Sequence, residues 1–275
     1  MFKAQHAEHE REKHSLAGTA EVPGRAGRTP GKGEISGRIA GPRAGEFSGP
    51  VRLYVLLDVL ESEHLGDGMS TVIMHNVVSV DGFIADAQDH VGPLFDWLSN
   101  GDAELVDGGA MKVSQASAEY VRPMWASIGS MVIGRHLFDM TNGWEGSPPA
   151  GEHVVVVSHR PEPGGWRPEA SRLQPGHPHP RHQCPYYFVG DVTQAIAKAR
   201  ELAEVRTVVV AAGDVGGQAL ALGLVDEVAM DVVPVVFGSG KRYFGPVDAQ
   251  HLLEDPHTVI QGDRVLHLRY KVRRS

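Results

Sequence analysis

The apolar residues change their pattern near residue 69, where long β-branched runs begin. Val72 to Val80 is almost continuously apolar, which is typical of a strand buried on both faces of a sheet. Similar runs recur at intervals to the end of the chain and are separated by segments with helical spacing. We predict further strands at 130–133, 153–157, 186–189, 207–211, 228–236 and 264–272.

Four helices are predicted between these strands. Residues 114–128 suit a helix, with Ser114 or Ser117 as N-cap and Pro123 as a break. Asp191 caps a helix that runs to about Glu204 and has one apolar face. Two shorter helices are predicted at 135–140 and 215–222, the second stopped by Gly223. The alternation predicts a three-layer α/β/α sandwich around a mixed, mainly parallel sheet with an antiparallel edge.

Residues 1–68 have a different composition. Gly, Pro, Arg and Ser dominate positions 17–50, and apolar residues there are too sparse to offset the entropy of ordering the chain. A short apolar run, 51–60, follows. We interpret 1–68 as a disordered or spurious extension, either a flexible tail or sequence upstream of a start at Met69. Residues 69–275 then form the folded domain.

Charge and composition exclude several classes of protein. The 275 residues carry a net charge of −8, which disfavours a general nucleic-acid binder. No apolar stretch is long enough to predict a membrane span, and no secretory signal is apparent, so the cytoplasm is the expected location. A single cysteine, Cys184, excludes an intramolecular disulfide.

The first candidate segment, SVDGFIA, follows the first strand. Asp81-Gly82 between apolar runs favours a two-residue hairpin turn. The functional alternative is a strand kinked at Gly82 that exposes Asp81 beside a cleft, with the polar loop 86–92 as a lid.

Two further segments suit a phosphorylated ligand. Gly134-Arg135 joins a strand to a helix N-terminus, where free N–H groups and a guanidinium favour an anion. Ser158-His159-Arg160 follows another strand and suits a phosphomonoester such as the 2′-phosphate of NADPH. Both segments could equally be ordinary polar connections.

The glycine-rich turn Gly213–Gly217 joins a strand to a helix and could approach a pyrophosphate. It matches no standard nucleotide fingerprint, and a tight turn with Asp214 as N-cap is the alternative. His177, His179, His182 and Cys184 crowd one Pro-rich stretch, but their spacing fits no common metal motif, so we predict no metal site.

The order of these segments resembles the dihydrofolate-reductase-like superfamily, in the branch of the reductase domain of riboflavin biosynthesis. The resemblance rests on SVDGFIA, GPLFDWL, IGRHLFD, VVVVSHR, VAAGDVGGQALALGLVDEV and VVPVVFGSGKRYF and covers about residues 70–272. It implies NADPH as hydride donor and a homodimer. The chain departs from the family at Ala212-Gly213, where a Gly-Gly pair is usual, and at the substrate segment 94–97. It also lacks the zinc deaminase motif.

The resemblance implies roles for named residues. It places the substrate against Ser79, Phe95 and Trp97. The implied cofactor-binding residues are Ala85, Gly134, Arg135, Ser158, His159, Arg160, Gly213, Asp214, Val215, Gly216 and Gly217.

The resemblance thus predicts hydride transfer from NADPH to a C=N or C=O bond of a small heterocycle, such as a ribosylamino-pyrimidine. A carboxylate with a raised pKa in a partly apolar cleft would supply the proton, with Asp96 the first candidate and Asp81 the second. The alternatives are reduction of dihydrofolate, a non-catalytic ligand-binding module, and use of a flavin or deazaflavin.

Overall fold

The computed structural model describes residues 70–106, 108–166 and 184–274. The predicted extension 1–68, the start at Met69 and the cluster His177, His179 and His182 lie outside the described residues.

The described residues contain twelve strands. They are β1 Val72–Ser79, β2 Phe83–Ala85, β3 Ala103–Glu104, β4 Lys112–Val113, β5 Ile128–Gly134, β6 His153–Val157, β7 Tyr186–Val189, β8 Thr207–Ala211, β9 Glu227–Val233, β10 Lys241–Arg242, β11 Thr258–Gln261 and β12 Leu266–Lys271. The α-helices are α1 Gln115–Ser127, α2 Arg135–Thr141, α3 Val192–Ala203 and α4 Asp214–Ala221. A 3₁₀ helix spans Gly92–Ser99, and a short segment with positive φ angles spans Asn142–Gly146.

Eight of these strands form one sheet, in the order β11-β12-β9-β1-β8-β5-β6-β7. The six strands from β9 to β7 are parallel, while β12 and β11 continue the sheet in antiparallel fashion. The mixed, mainly parallel sheet with an antiparallel edge is therefore confirmed. Two small ladders, β2 with β10 and β3 with β4, lie outside it.

Helices cover both faces of the sheet, which confirms the three-layer architecture. On one face α3 and α4 bury residues such as Ile196 and Leu220 against β1, β8 and β5. The opposite face has two separate apolar clusters. The first lies under the 3₁₀ helix and α1 and includes Val77, Leu94 and Val121. The second lies under α2.

Several local predictions need correction. Pro123 does not break α1, because the buried Val121 and Met124 on either side of it pack on the sheet and outweigh its local cost. Ser114 is the N-cap of α1, and its side chain accepts a hydrogen bond from the Ser117 N–H. Gly213, rather than Asp214, is the N-cap of α4.

The Asp81-Gly82 segment is not the turn of a β1–β2 hairpin. Gly82 has φ of 87°, its N–H donates to the Ser79 carbonyl, and β2 then pairs with β10. The hairpin interpretation is therefore wrong, and the change of direction at Gly82 matches the kink that the alternative predicted.

We expect Gly217→Ala to destabilise the domain. Alanine normally stabilises a helix interior relative to glycine. A Cβ at position 217, however, would lie 2.2 Å from the Phe244 carbonyl oxygen. The forced backbone shift should cost about 1–3 kcal/mol in the free energy of unfolding, measured by urea denaturation. Gly190→Ala is the control, since a Cβ there meets nothing within 4 Å. Equal urea midpoints for the two variants would contradict this assignment.

Candidate active site at the carboxyl edge of the sheet

Three predicted ligand segments follow neighbouring parallel strands. β8, β5 and β6 are adjacent in the sheet and end at Ala211, Gly134 and Val157. Because the strands are parallel, the turns that follow them lie at the same edge. The segments that begin at Gly134, Ser158 and Gly213 are therefore brought together on one side of the domain.

Direct contacts join the first two segments. The Arg135 Nη1 donates to the Ser158 hydroxyl at 3.3 Å and to the Pro161 carbonyl at 2.8 Å. Ser158 also closes a local turn, because its hydroxyl accepts from the Arg160 N–H and donates to the Arg160 carbonyl. His159 is exposed beside this turn.

Asp139 is a site residue that the sequence reasoning missed. Its carboxylate accepts from Arg135 Nε and from Arg160 Nη2, each at 2.7 Å. The hydrogen bond from Arg135 is the main cause that lowers the Asp139 pKa. Two guanidinium groups thus share one carboxylate, which leaves a net positive charge next to Ser158. The i,i+4 spacing of Arg135 and Asp139 on one helix was the available signal.

The glycine-rich turn reaches the same place. A Cβ on Gly134 would lie 3.1 Å from Val215 Cγ2, so the first helical turn of α4 adjoins the end of β5. Gly213 has φ of 94°, a conformation that favours glycine. The first N–H groups of α4, from Asp214 to Gly216, have no intrahelical acceptor and give this end of the helix a partial positive charge.

Gly216 and Gly217 allow α4 to pack closely. A Cβ on Gly216 would lie 2.7 Å from the Ala211 carbonyl oxygen, and Gly217 faces the Phe244 carbonyl. Gly216 is therefore required by the packing of α4 on β8, and Gly217 by its packing on the segment after β10, whether or not a ligand is bound. Their effect on a ligand is indirect, because they fix where the N-terminus of α4 lies.

Tyr243 connects the two turns of the site. Its carbonyl accepts from the Gly213 N–H at 2.7 Å, and its own N–H donates to the Gly82 carbonyl at 2.9 Å. Its ring is fully buried, and its hydroxyl lies 2.7 Å from the Ala229 carbonyl oxygen and 3.0 Å from that of Met74. The Gly213 and Gly82 turns are therefore tied to each other and to the sheet through one residue.

Ser79 and Asp81 hold a turn at the end of β1. The buried Ser79 hydroxyl donates to Asp81 Oδ1 at 2.6 Å and accepts from the Phe83 N–H. The Asp81 carboxylate also accepts from the N–H groups of Phe237 and Gly238. The hydrogen bond from Ser79 is the main cause that lowers the Asp81 pKa. The expectation of a raised pKa for Asp81 is therefore wrong.

The segment from β2 to the 3₁₀ helix flanks the turns. Ala85 is buried in the β2–β10 ladder opposite Lys241, and its neighbour Ile84 would contact a Cβ on Gly213 at 3.2 Å. In the loop 86–92, Asp89 forms ion pairs with His136 of α2 and with Lys241. The loop predicted as a lid thus spans from the β2–β10 ladder to the start of α2.

The 3₁₀ helix carries the predicted substrate residues. Trp97 is only 3% exposed and packs edge-on against His267, with ring centroids 5.3 Å apart. Trp97 therefore packs in the core of the domain and does not present its ring as a wall of the substrate site. Phe95 is half-buried against the same cluster. Asp96 is exposed, so it lacks the apolar surroundings that its assignment as proton donor assumed.

Other kinds of site find little support in residues 70–106, 108–166 and 184–274. Among them, no group of three or more His, Cys, Asp or Glu side chains could hold a metal ion. Within the same ranges, no helix has the length and apolar character needed to cross a membrane. Cys184 is buried, and burial raises the pKa of its thiol to about 12, which disfavours a nucleophilic role.

A comparison with protein families matches residues 70–267 to the RibD C-terminal domain. The chain belongs to this family. Membership confirms the resemblance to the reductase domain of riboflavin biosynthesis. A search of curated proteins finds no match.

Several solved structures are similar to this RibD C-terminal domain. A riboflavin biosynthesis protein from Shewanella sp. PV-4 is 18% identical with a TM-score of 0.50, over 75% of this chain and 99% of that one. The deaminase–reductase of Thermotoga maritima is 12% identical with a TM-score of 0.47, and the alignment covers 74% of this chain. It covers only 57% of the Thermotoga protein, so this chain spans little more than half of that protein's length. Rib7 of Saccharomyces cerevisiae is 12% identical with a TM-score of 0.46, over 75% of this chain and 91% of that one.

We expect Asp81→Asn to destabilise the RibD-type domain in a pH-dependent way. A lowered folded-state pKa contributes stability that is present above the ordinary pKa and is lost as the pH falls through the folded value. The difference in urea midpoint between wild type and Asp81→Asn should therefore be largest near neutral pH and shrink below about pH 4.

The exposed Asp255→Asn is the control for the change of charge. Its difference from wild type should vary less between pH 7 and pH 3. If the Asp81→Asn difference stayed constant over the same range, the hydrogen bonds of Asp81 would not be a source of stability.

Proposed function

We propose that this RibD-type domain is an NADPH-dependent reductase that acts on a C=N or C=O bond of a small heterocyclic substrate. The observation that carries the proposal is the convergence of Arg135, Ser158, Arg160 and the N-terminus of α4 at one edge of the sheet. Family membership supports the reductase class. A ribosylamino-pyrimidine is the substrate that the resemblance implies.

The charges at this edge fit the phosphates of the cofactor. A phosphomonoester can accept from Arg135 Nη2 and from the Arg160 fork, and from the Ser158 hydroxyl once that hydroxyl rotates away from the Arg160 carbonyl. The Arg160 side chain is 65% exposed, so it can turn from Asp139 towards a bound phosphate. Since the chain as a whole is acidic, a dianion needs such a local cationic site.

The pyrophosphate of the cofactor fits the N-terminus of α4. The free N–H groups of Asp214, Val215 and Gly216 point outward from the helix end, and anions are favoured there. The positive φ of Gly213 turns the chain between strand and helix, and the absence of a side chain leaves room for close approach.

The bound cofactor supplies a hydride from its nicotinamide ring. The protein holds the substrate carbon in line for it, keeps water away from the reacting atoms and provides the accompanying proton. The exposed Asp96 stays the sequence-based candidate for the proton donor. A homodimer and a cytoplasmic location are part of the same proposal, as the resemblance implies.

The proposal predicts a stronger stabilisation by NADPH than by NADH. A ligand that binds the folded state at 100 times its Kd raises stability by about 2.7 kcal/mol. Thermal-shift titrations with both nucleotides measure this stabilisation. NADPH oxidation in the presence of 5-amino-6-(5-phosphoribosylamino)uracil measures the reductase activity. Oxidation with dihydrofolate alone would support the dihydrofolate alternative. Binding without oxidation would support the non-catalytic alternative. Visible absorbance of the purified protein would support the use of a flavin or deazaflavin.

Arg160→Ala should weaken NADPH binding and leave NADH binding unchanged. A charge-assisted hydrogen bond contributes about 1.5–3 kcal/mol, so the Kd for NADPH should rise by about 10- to 100-fold. Arg206→Ala is the control, because Arg206 pairs with Glu152 on the surface. An equal loss of affinity for both nucleotides would show that Arg160 does not contact the 2′-phosphate.

A further inference from the structure

A series of hydrogen-bonded polar side chains runs along one face of the sheet, from β1 over β9 and β12 to α1. His75 Nε2 lies 3.0 Å from Asp231 Oδ2, and Asp231 Oδ1 lies 2.6 Å from His267 Nδ1. His267 Nε2 in turn lies 2.9 Å from the Ser117 hydroxyl. Asp231 and His267 are buried, whereas the His75 side chain is 17% exposed. Of these groups, His75 is therefore the one with most access to a ligand.

The hydrogen bonds determine which ring nitrogen of His75 is free. Ser114 donates its hydroxyl hydrogen to Ser117, so Ser117 can donate to His267 Nε2. His267 then carries its proton on Nδ1 and donates it to Asp231. Asp231 accepts from His75 through its other oxygen, which fixes a proton on His75 Nε2. The second ring nitrogen of His75, Nδ1, does not take part in this series.

The buried carboxylate of Asp231 lies between two imidazole rings, those of His75 and His267. Burial would raise the pKa of Asp231, but the charges of His75 and His267 and the hydrogen bonds from both rings outweigh this effect and lower that pKa. Asp231 is thus a buried carboxylate, which requires a nearby positive charge. Of the two imidazoles beside this carboxylate, only His75 reaches solvent, so His75 is the member that can carry a compensating positive charge and exchange its proton.

The other groups around the cluster do not replace His75 in this role. Trp97 and Tyr120 contact the His267 ring, and both are uncharged. Burial raises the pKa of Tyr120 well above its ordinary value, which keeps the phenol neutral. Arg269 is occupied by Glu227, with its Nε 3.0 Å from a carboxylate oxygen.

The strand register places His75 beside the candidate active site. His75 pairs with Ala211, the last residue of β8, and its carbonyl accepts from the Ala212 N–H. The Gly213 turn begins one residue later. β1 and β9 continue past this point to Ser79 and Val233, which leaves a notch where β8 stops.

The side chain of His75 lies on the face that carries the two apolar clusters. Val77, two residues along β1, belongs to the cluster under the 3₁₀ helix and α1. Ala211, its partner on β8, packs on the cluster under α2. The His75 ring therefore lies at the seam between the two covered halves of this face, where its exposed edge opens to solvent.

We propose that His75 is the proton donor of the reduction and that Asp231 is its positioning residue. The inference rests on the proposed function. As hydride is delivered to the carbon of the substrate C=N bond, the π electrons move to nitrogen. That nitrogen takes the proton from His75 Nδ1. The N–H bond of the imidazolium breaks, a substrate N–H bond forms, the nicotinamide is oxidised, and solvent reprotonates His75.

The kinetic test uses NADPH and 5-amino-6-(5-phosphoribosylamino)uracil with the full chain. Loss of a general acid costs about 10²- to 10⁴-fold, so His75→Asn should lower kcat by at least about 100-fold. The thermal shift with NADP⁺ should be unchanged. Added imidazole should restore part of the activity of His75→Gly, which a purely structural role would not allow. His257→Asn is the matched control, since His257 also pairs with a carboxylate, Glu227, but near the other edge of the sheet.

A spectroscopic test does not depend on turnover. In ¹⁵N-histidine spectra, His75 is identified by its loss in His75→Asn. In the wild type, His75 Nε2 should carry a proton because it donates to Asp231. In Asp231→Asn, the proton should no longer favour Nε2 over Nδ1. The His75 Nδ1 resonance should shift when the pyrimidine is added in the presence of NADP⁺. His75→Gln is the second variant if His75→Asn does not fold, judged by circular dichroism.

The outcomes separate the two proposals. A wild type that oxidises NADPH with the pyrimidine, together with a fully active His75→Asn, overturns the role of His75 alone. A wild type that does not turn over the pyrimidine overturns the proposed substrate. In that case, an Nδ1 resonance that also fails to move with the pyrimidine overturns the inference about His75. Full activity of Asp96→Asn beside an inactive His75→Asn would assign the proton to His75.

Discussion

The architecture of the candidate site depends on the unequal lengths of neighbouring parallel strands. β8 stops at Ala211, which pairs with His75 of β1. β1 then continues for four more residues, to Ser79. A sheet with an even edge would place the Gly213 turn level with the Ser79 turn and leave no recess between them. The early end of β8 instead allows the N-terminus of α4, the Gly82 turn and the His75 ring to border one space.

Electrostatics in this space are arranged by shared counter-charges. Asp139 takes two guanidinium groups, and Asp231 takes two imidazoles. In each case one carboxylate holds two cationic or proton-bearing groups that come from different elements, which lowers the entropy cost of ordering them around a ligand. The pattern is consistent with a site that receives an anionic cofactor in an otherwise acidic chain.

The sequence predicted much of the fold because the buried strands are β-branched runs with clear ends. The predicted strand 153–157 coincides with β6, and Gly223 follows α4 as expected, with φ of 69°. The small ladders were missed, since two residues such as Lys241 and Arg242 carry no periodic signal. The N–H partners of Asp81 at Phe237 and Gly238 lie more than 150 residues away, so no local pattern could predict them. Trp97 was assigned to the substrate because the resemblance implies polar and aromatic residues at this place, although its spacing of three from Leu94 already indicated a buried face.

Tyr243 imposes a mechanical condition on the site. Its backbone bonds to both Gly82 and Gly213, and its ring is anchored beneath the sheet. The two rims of the recess are therefore coupled, since a displacement of one is transmitted to the other through the backbone of Tyr243. Ligands of different size would then be accommodated by movement of surrounding loops, such as the one that contains Asp89, and not by a change in the width of the recess.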